Sequence, residues 1–181
     1  FTDAGVTAMR NRLKSFIGTT AYDVCINTFH GFCVEILQRF PEKFIEMRSA
    51  ETADDLQKIQ ILQEILQKEK YQWLAPFKNP NCFLQSILGK ISTLKREDIS
   101  PEDFTQVVTQ EKEEFESIPQ DDLINAKTGK IKGKYQTQKK RLEKWEEFIR
   151  VYEQYQSALQ ERGLLDFDDQ ILFVLKKLRE D

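Results

Sequence analysis

Between Tyr22 and Phe40 the apolar period of the chain changes from two to helical. Tyr22, Val24 and Ile26 alternate as in a short half-buried strand, whereas Phe32, Ile36, Leu37 and Phe40 recur at helical spacing. A lone strand cannot satisfy its own backbone and needs partners in a sheet. No other stretch of the chain reads as a convincing strand, so those partners are expected outside this sequence. The junction itself is Thr28-Phe29-His30-Gly31-Phe32. A hydroxyl, an aromatic face, an imidazole and backbone N–H groups gathered at a helix start can hold a phosphate and stack a base. The plainer reading of the same residues is a capping Thr28, a buried Phe29 and a hydrogen-bonded His30.

The rest of the 181 residues reads as helix, and only seven glycines and five prolines interrupt it. Thr2 and Asp3 form a pair suited to capping. Val6, Met9, Leu13 and Phe16/Ile17 then share one face, and Gly18 is placed to stop that helix. The helix from His30 ends at Pro41. Thr52 to Gln67 predicts an amphipathic helix with Asp54 and Asp55 in its first turn. Phe83, Ile87, Leu88 and Ile91 mark another, and Ser100-Pro101-Glu102-Asp103 is a strong helix start. Leu142, Trp145, Phe148/Ile149, Tyr152, Tyr155 and Leu159 give a long seam over about 135–162, stopped by Gly163. Asp166 caps a final helix. The fold expected is mainly α, with one strand.

Charge excludes more than it suggests. A net charge of −3 gives no global sign of nucleic-acid binding, so any such site must be local. Acids dominate from Glu97 to Asp122. From Lys127 to Lys144 the sign reverses, and Gly129 and Gly133 suggest a hairpin-like turn or a mobile loop there. With one His, and with Cys25, Cys33 and Cys82 at no metal spacing, neither a zinc site nor a Ser/His/Asp triad is expected. The adjacent acids Asp54/Asp55, Asp121/Asp122 and Asp168/Asp169 point in different directions on a helix, and capping accounts for the first and third. No Gly-rich phosphate loop with Lys-Ser/Thr is present. No catalytic residue, metal ligand or cofactor is assigned to the chain. It has no apolar run of membrane-spanning length and no signal peptide, and a reducing cytoplasm is the expected compartment. It opens on Phe1 rather than Met and reads as a piece of a larger protein.

Three segments together resemble the UvrD/PcrA/Rep-like superfamily 1 DNA helicases. Phe1-Thr2-Asp3-Ala4 with Met9, Arg12 and Leu13 resembles the motif that follows the ATP-binding strand, usually Thr-Phe-Thr-Asn-x-Ala-Ala-x-x-Met-x-x-Arg. Thr28-Phe29-His30-Gly31-Phe32-Cys33 is similar to the next motif, Thr-Phe-His-Ser/Gly-Phe-Cys. Gly163-Leu164-Leu165-Asp166-Phe167-Asp168-Asp169 matches the segment that returns the chain to the motor core.

The resemblance implies a chain cut from a P-loop (RecA-like) α/β motor domain. Residues 1–38 would be part of motor domain 1A, 39–162 a helical 1B-type insertion, and 163–181 the return helix. The intact parent would use ATP and Mg²⁺ to translocate on single-stranded DNA and unwind duplex, while this piece carries no ATP site and no ATPase activity. By the same resemblance Phe1, Thr2, Thr28, Phe29 and His30 would contact single-stranded DNA, with Thr2 and His30 toward phosphate or sugar. In this family 1B touches duplex, so Lys139, Lys140 and Arg141 in the basic stretch would grip phosphates. The alternative for that stretch is a solvated segment paired with the neighbouring acids. Trp145, Tyr152 and Tyr155 read as core rather than as base platforms. Asp3 replaces the family's usual Asn and reads as a helix cap rather than a DNA ligand, and Gly5-Val6 replaces its Lys/Ala pair. A RecB/AddA-like helicase–nuclease is a close variant. The rival from another class is a non-catalytic module that binds a partner helix along the Trp145–Leu159 seam.

Overall fold

The computed structural model describes residues 2–45, 50–125 and 129–180. They are mainly helical and separate into two compact units. The first is built from residues 1–52 and 165–181, and the second from 53–164. No helix among the described residues is long and apolar enough to cross a membrane.

In the first unit, helix α1 (Asp3–Ile17) is capped by Thr2, whose hydroxyl accepts the Gly5 N–H at 3.3 Å. Asp3 is therefore the first helical residue rather than the cap, placed where a carboxylate favours the helix dipole. Gly18 ends α1 at φ 64°, a conformation that costs a side-chain-bearing residue. The expected apolar face of α1 is not covered. None of its residues is buried, and Phe16 is 74% exposed.

The strand expected over Tyr22–Ile26 is not formed. A 3-10 turn occupies Gly18–Tyr22, and residues 23–28 carry no ladder. The alternation was real, but a strand exists only through its neighbours, and no described segment pairs with this one. Helix α2 (Phe29–Arg39) follows and packs against α8 (Phe167–Glu180). Cys33, Phe44 and Val174 form the small core between them, with Ile36, Leu37 and Ile171 against it. Burial pushes the Cys33 thiol pKa up, which keeps it protonated and inert. Asp166 caps α8 reciprocally: its Oδ1 accepts the Asp169 N–H at 2.9 Å, and Asp169 Oδ2 accepts the Asp166 N–H at 3.1 Å. The segments β1 (Glu51–Thr52) and β2 (Leu164–Leu165) pair as a two-stranded sheet.

The second unit is a helical bundle laid around α7 (Gly133–Glu161). Helix α3 (Asp55–Lys68) starts with a capping box in which Asp54 accepts the Gln57 N–H and the Gln57 side chain accepts the Asp54 N–H. Asp55 is held below its usual carboxylate pKa by the Lys58 ammonium beside it. Helix α4 (Leu84–Arg96) and α5 (Pro101–Glu116) follow, α5 with Ser100 and Asp103 as its capping box. Ile61, Leu62, Ile65 and Leu66 of α3 meet Ile87 and Ile91 of α4 and Phe148, Val151, Tyr152, Tyr155 and Leu159 of α7 in the main core. Val108 of α5 with Leu142 and Ile149 of α7 forms a second cluster. Helix α6 (Gln120–Leu123) leads into a hairpin closed by the antiparallel bridge Ile124–Ile131. The hairpin suggested by Gly129 is thus present, whereas Lys127 lies outside the described residues. The basic residues from Lys134 to Lys144 belong to α7 rather than to a loop.

Tyr71, in the segment after α3, is buried. Burial, reinforced by the Glu69 carboxylate, pushes its hydroxyl pKa up to about 12. A folded-state pKa above the unfolded one contributes stability in full below about pH 10 and loses it as pH rises toward the folded value. Tyr71→Phe is therefore expected to soften the alkaline fall in stability across that window. Urea midpoints of both proteins, followed from neutral to alkaline pH, measure it, and parallel curves would refute it.

Candidate nucleic-acid interface

The second motif of the first unit is held by three sets of bonds. Arg10 of α1 donates from Nη2 to the Ile26 carbonyl at 3.5 Å. Asn27 Nδ2 donates to Glu35 Oε2 at 2.7 Å and to Cys25 Sγ at 3.3 Å. Thr28 then caps α2, its Oγ1 accepting the Gly31 N–H at 2.9 Å. Gly31 lets that hydroxyl come close, since a Cβ there would stand 3.1 Å from it. This local network sets the direction in which the chain enters α2. It leaves Phe29, at the first helical position, 73% exposed.

Around Phe29 lies an open groove of about 550 Å³. Val6 and Met9 of α1 line it together with residues 25–28, Phe29 and Phe32. The helix begun by the first motif and the junction of the second thus meet at one surface. Its surroundings are apolar, with the Thr28 and Asn27 side chains as polar groups at the edge. Such a surface accepts the flat face of an aromatic ring and offers little that would distinguish one base edge from another.

The other expected contacts are distributed differently. Phe1 lies outside the described residues. Thr2 is exposed, but its hydroxyl is engaged by the α1 cap. His30 is half-buried and does not line the groove. Its ring meets Phe167 of α8 edge to face, with centroids 4.6 Å apart and planes at 67°. Its Nδ1 is buried without a hydrogen-bond partner among the described residues. Lys139, Lys140 and Arg141 belong to the other unit, on α7. Lys139 and Lys140 are exposed. Arg141 pairs with Glu111 of α5 and lies over the Trp145 ring at 4.9 Å. Lys112 reaches Glu146 at 2.6 Å, and that carboxylate raises the lysine's pKa. At Arg141 the pairing with the neighbouring acidic stretch is therefore realised.

Three participants escaped sequence reasoning. Val6 and Met9 are spaced as core residues, and only the uncovered face of α1 turns them into groove wall. Phe167 follows a cap, and nothing in its spacing identifies it as the ring beside His30. Among the described residues no group of three or more His, Cys, Asp or Glu side chains could hold a metal ion.

The model of the UvrD/REP helicase N-terminal domain matches residues 1–181. This chain belongs to that family. Among curated UvrD/REP relatives, the ATP-dependent DNA helicase PcrA of Bacillus subtilis (strain 168) is 29% identical over 177 residues, covering 97% of this chain. PcrA of Staphylococcus epidermidis (strain ATCC 12228) is 25% identical over 172 residues, or 95% of the chain. PcrA of Staphylococcus aureus (strain COL) is 27% identical over 109 residues, or 60%. The chain spans 19% of the Bacillus relative's length, 18% of the S. epidermidis one's and 14% of the S. aureus one's. The UvrD/REP match thus takes in all three motifs of the chain, and the curated relatives are several times longer than it.

Proposed function

We propose that this chain is the DNA-gripping part of an ATP-dependent helicase that translocates on single-stranded DNA and unwinds duplex. In this reading residues 1–38 and 163–181 belong to the first motor domain and 39–162 form the 1B insertion. ATP and Mg²⁺ bind the parent outside this chain. The observation that carries the reading is the groove that joins Val6 and Met9 to Thr28 and Phe29 beneath an exposed aromatic ring. A motor must advance over any sequence, so it needs base faces and phosphates rather than base edges. An apolar groove with a protruding phenyl ring meets that need. Phe29 stacks on a base, Thr2 and His30 flank the strand, and the exposed Lys139 and Lys140 face duplex phosphates.

The protein-interaction alternative loses its surface. Tyr152, Tyr155 and Leu159 of the α7 seam are buried within their own unit, against α3 and α4.

Phe29→Ala in the intact parent tests the proposal, because removing an exposed ring does not disturb a core. Stacking is worth roughly 1–3 kcal/mol per base, so oligo(dT) affinity should fall at least fivefold by fluorescence anisotropy. DNA-stimulated ATP turnover should fall at limiting oligonucleotide while basal turnover holds. Unchanged affinity, or equal loss of both activities, would overturn the assignment.

A further inference from the structure

The segment between α3 and α4 contributes to the second unit in a way that its core does not require. Phe77 is a large apolar side chain, yet it is fully exposed. It stands with Lys78 at the tip of a turn closed by the Asn79 N–H to the Pro76 carbonyl at 3.0 Å. The base of this turn is unusually well fixed. Glu147 of α7, itself buried, accepts three successive backbone N–H groups: Gln72 at 2.7 Å, Trp73 at 2.9 Å and Leu74 at 3.0 Å. Three residues of extended chain span at most about 10 Å, so the tip cannot stray far from that anchor.

The same anchor is bracketed by cations. Lys144 and Arg150, three residues to either side of Glu147, lie on the same side of α7. Lys144 Nζ sits 5.5 Å from the Trp73 ring centroid and Arg150 Cζ 5.6 Å from that of Tyr71. Both cations are exposed, and the carboxylate between them is consumed by backbone N–H groups. The result is an anchored turn presenting one bare aromatic face and a lysine, beside two further positive charges. The Glu69 carboxylate, which also acts on Tyr71, offsets part of the Arg150 charge. A neutral apolar partner would leave Lys78 and Lys144 unmatched, and an acidic peptide would not need the protruding ring. A strand with stackable rings joined by phosphates satisfies both.

We propose that the Phe77–Lys78 turn is a second single-strand nucleic-acid contact, in which Phe77 stacks on an unpaired base and Lys78, Lys144 and Arg150 hold the flanking phosphates. The class of ligand rests on the helicase reading above, whereas the site is independent of the groove at Phe29.

Photocrosslinking of the full-length protein to bromodeoxyuridine-substituted oligo(dT) tests it. Trypsin releases Tyr71–Lys78 as one peptide, and the groove's Phe29 lies on another. The expected result is a crosslink on the first peptide that disappears in Phe77→Ala, with affinity for plain oligo(dT) lowered at least fivefold and restored by Phe77→Trp. Lys78→Glu should flatten the log–log salt dependence by about 0.7, the release of one counterion from a single strand. Crosslinks confined to the Phe29 peptide, with Phe77→Ala binding as wild type, would overturn this site and leave the groove standing. Crosslinks on Tyr71–Lys78 alone would uphold it and refute the groove. A protein that binds no oligonucleotide refutes both.

Discussion

Glu147→Ala should cost the helical unit about 3–5 kcal/mol, because three backbone donors lose one charged acceptor at once. The side chain accepts three backbone N–H groups from the Gln72–Leu74 segment, and alanine offers none of them an acceptor. Each donor stranded away from water costs on the order of 1–3 kcal/mol, and entry of water at the exposed Gln72 end trims the sum. Glu147→Gln keeps one oxygen and should recover roughly half of the loss. Urea titration of the three proteins decides the matter. An unfolding free energy for Glu147→Ala within about 1 kcal/mol of wild type would mean that the segment finds other acceptors.

A loss of similar size is expected for Tyr155→Ala, about 3–5 kcal/mol, as for other large aromatic truncations in a core. Tyr155 is 1% exposed and lies among the α3 and α7 side chains. It also does something an aliphatic residue could not. The Lys95 ammonium, on a side chain equally buried, sits 5.5 Å from the centroid of its ring. Tyr155→Phe preserves that face and should cost far less. A double-mutant cycle between Tyr155→Leu and Lys95→Met should show a coupling of about 1–2 kcal/mol, the value of a desolvated cation over a ring. Additive single losses would assign Tyr155 to packing alone.

Helix positions were legible wherever several local signals agreed. Ser100-Pro101 with Asp103 marks the start of α5, Gly18 and Gly163 stand at positive φ where α1 and α7 end, and Asp166 with Asp169 opens α8. These effects act over three or four residues and are written in the chain. The α7 seam was legible as core because its apolar period persists through several turns. The segment Tyr22–Ile26 was not: alternation states a preference for strand, but a ladder needs a neighbour that no described residue supplies. Phe29 was hard for a related reason. Whether it is buried depends on strand geometry at the junction, and capping by Thr28 replaced that geometry with a helix start. Arg141 read as part of a basic run, and only the packing of α5 on α7 placed Glu111 beside it.

Both ends of the first unit depend on what separates them. Its small core needs Cys33, from before the inserted helices, and Val174, from after them. A ribosome delivers Cys33 long before Val174, so this core stays unfinished until the entire insertion has been synthesised. If the intervening segment, on the order of a hundred residues, were slack, closing it would cost roughly 4 kcal/mol of chain entropy. An insertion that folds first, with Thr52 and Leu165 drawn together where β1 and β2 pair, removes most of that penalty. The helical unit is thereby a folding template for the first unit, and lesions such as Glu147→Ala should delay the closing of its Cys33–Val174 core.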